Sequence, residues 1–155
     1  MNKRSPPDIA SSLSYAEGLC ADRGLKFTEK RKQVLTGLLE SKKALSAYEL
    51  TDYVRDEFNS QLPAMSVYRI LDFLEEVDLV HRLDSAQKYV ACSHIACNHE
   101  HELSQFLICR SCYLVEEISL GKSLMSALKR SAEKAGFRLT NQELEFDSLC
   151  GNCSE

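Results

Sequence analysis

Near the end of the chain, two C-x-x-C pairs, Cys109-Arg110-Ser111-Cys112 and Cys150-Gly151-Asn152-Cys153, are separated by 37 residues. Either pair alone has the form of a redox dithiol. Together they supply four soft thiolates, the number that closes a tetrahedral zinc site and leaves no coordination position for a substrate. A compact zinc ribbon spaces its knuckles by about 15–20 residues. The wider gap here has room for a helix and flanking strands, so a metal held by Cys109, Cys112, Cys150 and Cys153 staples the two ends of a small domain. The competing reading is two reduced cysteine pairs that never meet.

A second group of potential ligands lies upstream. All four histidines, His81, His94, His99 and His101, fall within residues 81–101 together with Cys92 and Cys97. Any one of them alone reads as an ordinary surface side chain, but their crowding ahead of a zinc knuckle points to a second zinc site with nitrogen, sulfur and oxygen ligands. Catalytic zinc patterns are not met. H-E-x-x-H fails because His101-Glu102-Leu103-Ser104 runs into Gln105, and the deaminase pattern fails because Ile108, not proline, precedes Cys109. Each C-x-x-C follows a strand-like segment and does not open a helix, which disfavours thioredoxin-like redox work. No glycine-rich phosphate loop is present. The expectation is a binding protein, not an enzyme, with no small-molecule substrate.

The elements that must position these groups follow from periodicity. Leu13, Ala16, Leu19 and Cys20 have helical spacing, and Gly24 ends that segment. Thr28 is the expected N-cap of a second helix with a Val34, Leu35, Leu38, Leu39 stripe. Ser46-Ala47-Tyr48-Glu49 has capping-box form and opens a third, carrying Leu50, Tyr53, Val54 and Phe58. Pro63 suits the first turn of a fourth, with Val67, Ile70, Leu71, Leu74 and Val77 turned inward. Extended segments Leu79 to Leu83 and Lys88 to Cys92 then flank a turn at 84–87, completing a winged helix-turn-helix. Ser93 to Glu102 is polar and aperiodic. Beyond it, strands Gln105–Ile108 and Leu114–Ile118, a helix Lys122–Ala135 stopped by Gly136, and a strand at Glu143–Phe146 describe a small α/β unit. The fold class expected is therefore α+β: an N-terminal winged helix-turn-helix, then a small zinc-stapled α/β domain.

Net charge is −4, yet residues 1–91 carry 13 basic and 14 acidic side chains, and the deficit lies mainly in residues 92–155, with 6 and 9. Lys26, Lys30, Arg31 and Lys32 cluster against only Glu29. Such a patch can contact phosphates on an acidic protein, although it also reads as a solvated helix face. Ser66-Val67-Tyr68-Arg69 occupies the start of the fourth helix, the part of a recognition helix that meets base edges. Arg69 can grip guanine through two hydrogen bonds, while Tyr68 can reach a phosphate or a thymine methyl. Both fall off the apolar stripe and are expected to face outward. No apolar run approaches the ~20 residues of a membrane span, and the N-terminus lacks the apolar core of a signal peptide, so a cytoplasmic protein with reduced cysteines is expected.

The runs Thr28-Glu29-Lys30-Arg31 and Ser66-Val67-Tyr68-Arg69-Ile70-Leu71, the segment Val80-His81-Arg82 and the paired knuckles resemble the ferric uptake regulator (Fur) family of metal-dependent repressors. They stand in the family's order from about Leu13 to Cys153. Tyr89-Val90-Ala91-Cys92 and the stretch from His101 to Phe106-Leu107-Ile108-Cys109 resemble its zinc-sensing branch. The resemblance implies a homodimer that binds double-stranded operator DNA. Its parts would be a DNA-binding domain over residues 1–92, a ligand-bearing linker over 93–102 and a dimerisation domain over 103–155. It implies two zinc ions per subunit: one structural, on the four cysteines, and one regulatory, on His81, Cys92, His101 and Glu117. The linker is longer than in relatives, so His99 is an alternative to His101, and Glu116 competes weakly with Glu117. Tyr113 stands where the family usually has glycine, and Cys97 has no assignment.

Ligand chemistry agrees on the metal. Thiolate with imidazole suits zinc, whereas an iron sensor leans on histidine and carboxylate, so Cys92 decides between them. The function expected is zinc-responsive repression of zinc-uptake genes, with Ser66, Tyr68, Arg69, Lys30 and Arg31 on the DNA. The rivals are an iron- or peroxide-responsive member of the same family and a zinc hydrolase using Glu117 as general base.

Overall fold

Capping chemistry sets the register of the N-terminal helices. The structure, a computed structural model, describes residues 8–93, 95, 104–141 and 143–155. Helix α1 (Ile9–Asp22) begins earlier than the apolar spacing implies, because the Asp8 carboxylate accepts the Ser11 N–H at 3.2 Å. Gly24, at φ +68°, turns the chain away from it. Thr28 caps α2 (Glu29–Glu40), its hydroxyl accepting the Arg31 N–H at 3.3 Å. Ser46 and Glu49 form a complete capping box on α3 (Ala47–Phe58), with reciprocal bonds of 3.2 and 2.7 Å. Pro63 is the N-cap residue of α4 (Ala64–Glu76) and stands just outside the first turn in which it was expected. It has no amide proton to leave unsatisfied there.

The stripes of these helices meet in one core. Val34, Leu35, Leu38, Leu50, Val54, Val67, Leu71, Leu74 and Val77 are all buried and packed together. Ile70 and Tyr53, expected inside, are half-buried at its edge, and Phe58 is exposed. Gly37 lets α2 and α3 approach closely, since a Cβ there would lie 2.8 Å from Tyr53 Cδ1 and 3.1 Å from Leu50 Cδ2. The Tyr53 hydroxyl in turn donates to the Glu40 carboxylate, closing the same contact from the side.

Strands β1 (Val80–Leu83) and β2 (Lys88–Ala91) pair antiparallel, with His81 opposite Val90, and form the wing. Leu45, in the α2–α3 connection, exchanges two backbone hydrogen bonds with Tyr89, of 3.0 and 2.8 Å. Lys88 Nζ reaches Glu49 Oε2 at 2.8 Å, the same oxygen that takes the Ser46 N–H. The wing is thereby tied to the N-terminus of α3.

The chain divides into compact units Met1–Asn98 and His99–Glu155. In the second, a sheet of order β4-β3-β5 is built from β3 (Ser104–Cys109), β4 (Val115–Ser119) and β5 (Leu144–Ser148). β3 runs antiparallel to β4 and parallel to β5, and α5 (Lys122–Lys134) makes the crossover. Gln105 is fully buried, and its side-chain oxygen accepts the Leu144 N–H at 2.6 Å, which sets where β5 joins the sheet. The α+β order read from the sequence is the one found. Among the described residues, no helix is long and apolar enough to cross a membrane.

Two glycines make a paired test of the helix packing. A Cβ at Gly18 of α1 meets nothing within 4 Å, so Gly18→Ala is expected to stabilise by about 0.5–1 kcal/mol. Gly37→Ala gains the same helix propensity but collides with Tyr53 and Leu50, and overpacking costs about 1–3 kcal/mol. Thermal unfolding should therefore move upward for the first variant and downward for the second.

Candidate metal centre and nucleic-acid interface

The parallel pairing of β3 and β5 brings the two knuckles together. Cys109 ends β3 opposite Ser148, and the Arg110 N–H bonds the Ser148 carbonyl at 3.0 Å, so the second knuckle starts beside the first. The sulfurs of Cys109, Cys112, Cys150 and Cys153 all lie within 4.8 Å of one another. Cys112 Sγ and Cys150 Sγ are 3.7 Å apart. With Zn–S bonds of about 2.3 Å, the edge of a tetrahedron is about 3.8 Å. The donor set therefore fits a closed zinc site in both chemistry and spacing.

Each knuckle turns tightly enough to aim amides at sulfur. The N–H groups of Cys150, Cys112 and Ser111 point at Cys109 and lower its thiol to about 6. At Cys153 the Ser111 hydroxyl favours the thiolate. The surrounding Cys150, Cys112 and Cys109 groups and desolvation outweigh it and push that thiol up to about 11. Tyr113, where a glycine would be easiest, adopts φ +60° and donates its N–H to the Cys109 carbonyl at 2.9 Å. A left-handed tyrosine costs about 1–2 kcal/mol, which the closed knuckle has to offset.

The second group of ligands divides between the units. In the first, a His81 ring nitrogen and Cys92 Sγ come within 4.8 Å of each other at the base of the wing. Cys92 is buried and His81 half-buried. The Cys92 N–H bonds the Leu79 carbonyl at 2.9 Å, which carries the ladder one residue past β2 and aims the thiol across to His81. In the second, Glu117 is half-buried on β4 opposite Phe106 and accepts a hydrogen bond from the Ser104 hydroxyl, whereas Glu116 is exposed. His94, Cys97, His99 and His101 lie outside the described residues.

On the helical side, Arg69 and Lys30 are exposed and Ser66 is half-buried. Two residues differ from their expected exposure. Tyr68 is half-buried, packed on the core edge and edge-on to Tyr48 at 6.4 Å between ring centroids. Arg31 stacks its guanidinium on Phe73 of α4, 3.5 Å from the ring centroid, and donates to the Lys26 carbonyl. Arg31 therefore ties α2 to α4, while Lys30 stands in solvent. Sequence reasoning missed the Phe73 partner and the role of Gln105, because neither has a local motif. A glutamine at the head of an otherwise apolar run, Phe106-Leu107-Ile108-Cys109, was the one available signal.

The profile of the ferric uptake regulator family matches residues 22–147. The chain is 36% identical over 143 residues to the zinc uptake regulation protein of Escherichia coli (strain K12), covering 92% of this chain and 81% of that one. Among solved structures, it resembles a zinc uptake regulator complexed with zinc and DNA, with a TM-score of 0.78, 32% identity and 93% of each chain covered. It also resembles holo XcZur, with a TM-score of 0.73, 35% identity and 93% and 97% covered.

The four-cysteine site should respond to both mutation and acid. Cys109→Ser or Cys150→Ser is expected to lose one tightly held zinc per subunit and to unfold the C-terminal unit, read by elemental analysis and circular dichroism. In the metal-free site the lowered Cys109 thiol favours the folded knuckles fully above its ordinary value of 9.0, and the advantage is gone once pH has fallen through about 6. Because protons compete with zinc for all four thiolates, zinc release to a chelator should accelerate as pH falls, and pH-independent release would contradict the assignment.

Proposed function

The chain belongs to the ferric uptake regulator family, and on that footing we propose that it is a zinc-responsive transcriptional repressor, binding operator DNA of zinc-uptake genes when zinc-loaded. The observation that carries the metal assignment is the Cys92 thiol beside His81, a thiolate–imidazole pair at the wing. That pair suits zinc over the oxygen-preferring metals. The identity to a zinc uptake regulation protein and the likeness to a zinc- and DNA-bound structure support the same reading.

The working form is a homodimer with two zinc ions per subunit. The structural ion sits on Cys109, Cys112, Cys150 and Cys153. The sensed ion is held by His81 and Cys92 from the wing, His101 (with His99 as the alternative), and Glu117. Because these ligands come from both units, occupancy restricts the freedom of one unit relative to the other. It favours the arrangement in which the two α4 helices of a dimer match two half-sites. Coupling of this kind is commonly worth about 1–3 kcal/mol, or about 5- to 150-fold in DNA affinity. Charge is the smaller contribution, since binding zinc adds two positive charges while ionising Cys92 removes one.

On the DNA, Arg69 contacts a guanine edge, Ser66 and Tyr68 flank it, and Lys30 takes a phosphate. Arg31 contributes mainly by holding Phe73, which positions α4. The cytoplasm is the compartment in which such a repressor meets DNA.

The decisive experiment is a zinc titration of operator binding by fluorescence anisotropy. Cys92→Ser and His81→Ala should remain folded and keep the structural zinc, yet gain no operator affinity as zinc is added. A full zinc response in Cys92→Ser would overturn the regulatory assignment, and restoration of binding by iron alone would favour the iron-responsive rival. In the same assay, Arg69→Ala should lose about 1–3 kcal/mol of sequence discrimination. Lys30→Ala should weaken all DNA alike and reduce the salt slope.

A further inference from the structure

Resting on the DNA-binding reading, we propose that Met65 is a specificity-determining residue that reads the C5-methyl group of a thymine next to the guanine read by Arg69. The observation is an apolar side chain in an unexpected place. Met65 is the second residue of α4 and is 65% exposed, while Val67, Leu71 and Leu74 of the same helix are buried. At 3.6 residues per turn, Met65, Arg69, Asp72 and Glu76 form one row along the face opposite that core, and all four are exposed. The row is polarised: apolar, then positive, then twice negative.

That polarity determines which part of the face can meet DNA. Asp72 and Glu76 repel phosphate, so the C-terminal half of the row stays away from the duplex. The first turn carries no acidic residue and leads the approach. Side chains four apart on a helix have Cβ atoms about 5–6 Å apart, and base pairs rise about 3.4 Å each. The site read by Met65 is therefore one or two base pairs from the one read by Arg69. In the major groove the only apolar mark is the thymine methyl. A thioether on an unbranched, adaptable side chain suits contact with it. Solvent exposure of Met65 in the free protein gains the core nothing, whereas docking removes both the side chain and the methyl from water.

The test uses the full, zinc-loaded chain and duplexes it enriches from a random-sequence DNA pool. In an enriched duplex, each thymine is replaced in turn by deoxyuridine, which removes only the methyl. Wild-type protein should lose about fourfold in affinity, the effect of one buried methyl. The loss should occur at a thymine within two base pairs of the guanine whose recognition disappears in Arg69→Ala. Met65→Gln, similar in length but polar, should be indifferent to that replacement, and Met65→Leu should remain sensitive. Wild-type indifference to deoxyuridine throughout, or an unchanged penalty in Met65→Gln, would overturn the proposal and leave the repressor reading intact. Failure to enrich any sequence with zinc present would overturn both.

Discussion

The C-terminal unit has almost nothing to bury, and that shortage is the constraint on which the rest of the molecule depends. Among its described residues, the apolar side chains that are buried are Phe106, Ile108 and Cys109, with Ser104 and Gln105 beside them. Its only described helix, α5, buries none of its residues. Leu124, Leu128, Phe137, Phe146 and Leu149 are exposed in the single chain. A three-stranded sheet with so small a core cannot offset the conformational entropy of ordering its chain by apolar burial alone. A metal ion on the four thiolates would supply what the core lacks, and a second copy in the proposed homodimer could cover such exposed apolar side chains.

The N-terminal unit solves the opposite problem. Its apolar stripes are ample, and its polar groups are used for alignment. Glu49 serves two purposes through one oxygen, completing the capping box and receiving Lys88 from the wing. Arg31 on Phe73 and Tyr53 on Glu40 fix α2 against α4 and α3. A recognition helix has to be rigid before its side chains can discriminate between bases, and of these contacts Arg31 on Phe73 bears on α4 directly.

What could be read in advance was local. Thr28, the Ser46–Glu49 box and Gly24 act on backbone within four residues of themselves, so their types and positions announce the helix ends. The cysteine pairs were legible for a similar reason, since a C-x-x-C knuckle is a short unit whose purpose follows from thiolate chemistry. What escaped was set by tertiary contact. Nothing in the chain around Gly37 reports that Tyr53 packs on it, and nothing near Arg31 distinguishes it from Lys30 until Phe73 lies under one and solvent around the other. Tyr68 illustrates the limit of periodicity. It lies off the apolar stripe, but its ring is wide enough to reach the core edge and Tyr48.

The parallel pairing of β3 with β5 also has a kinetic side. Neighbouring antiparallel strands can zip from a turn, but Cys109 and Ser148 face one another only after the whole intervening segment has looped back. Closing a loop of this length costs about 3 kcal/mol of chain entropy before any contact is gained. Such non-local contacts make for slow folding. A zinc ion captured first by one knuckle would turn the late encounter into ligand exchange at a fixed point, and zinc supply would then govern how quickly this unit matures as well as how firmly it holds. A cell short of zinc would thus delay the assembly of its own zinc sensor, and newly made chains would reach DNA-binding competence at a rate that itself follows the metal.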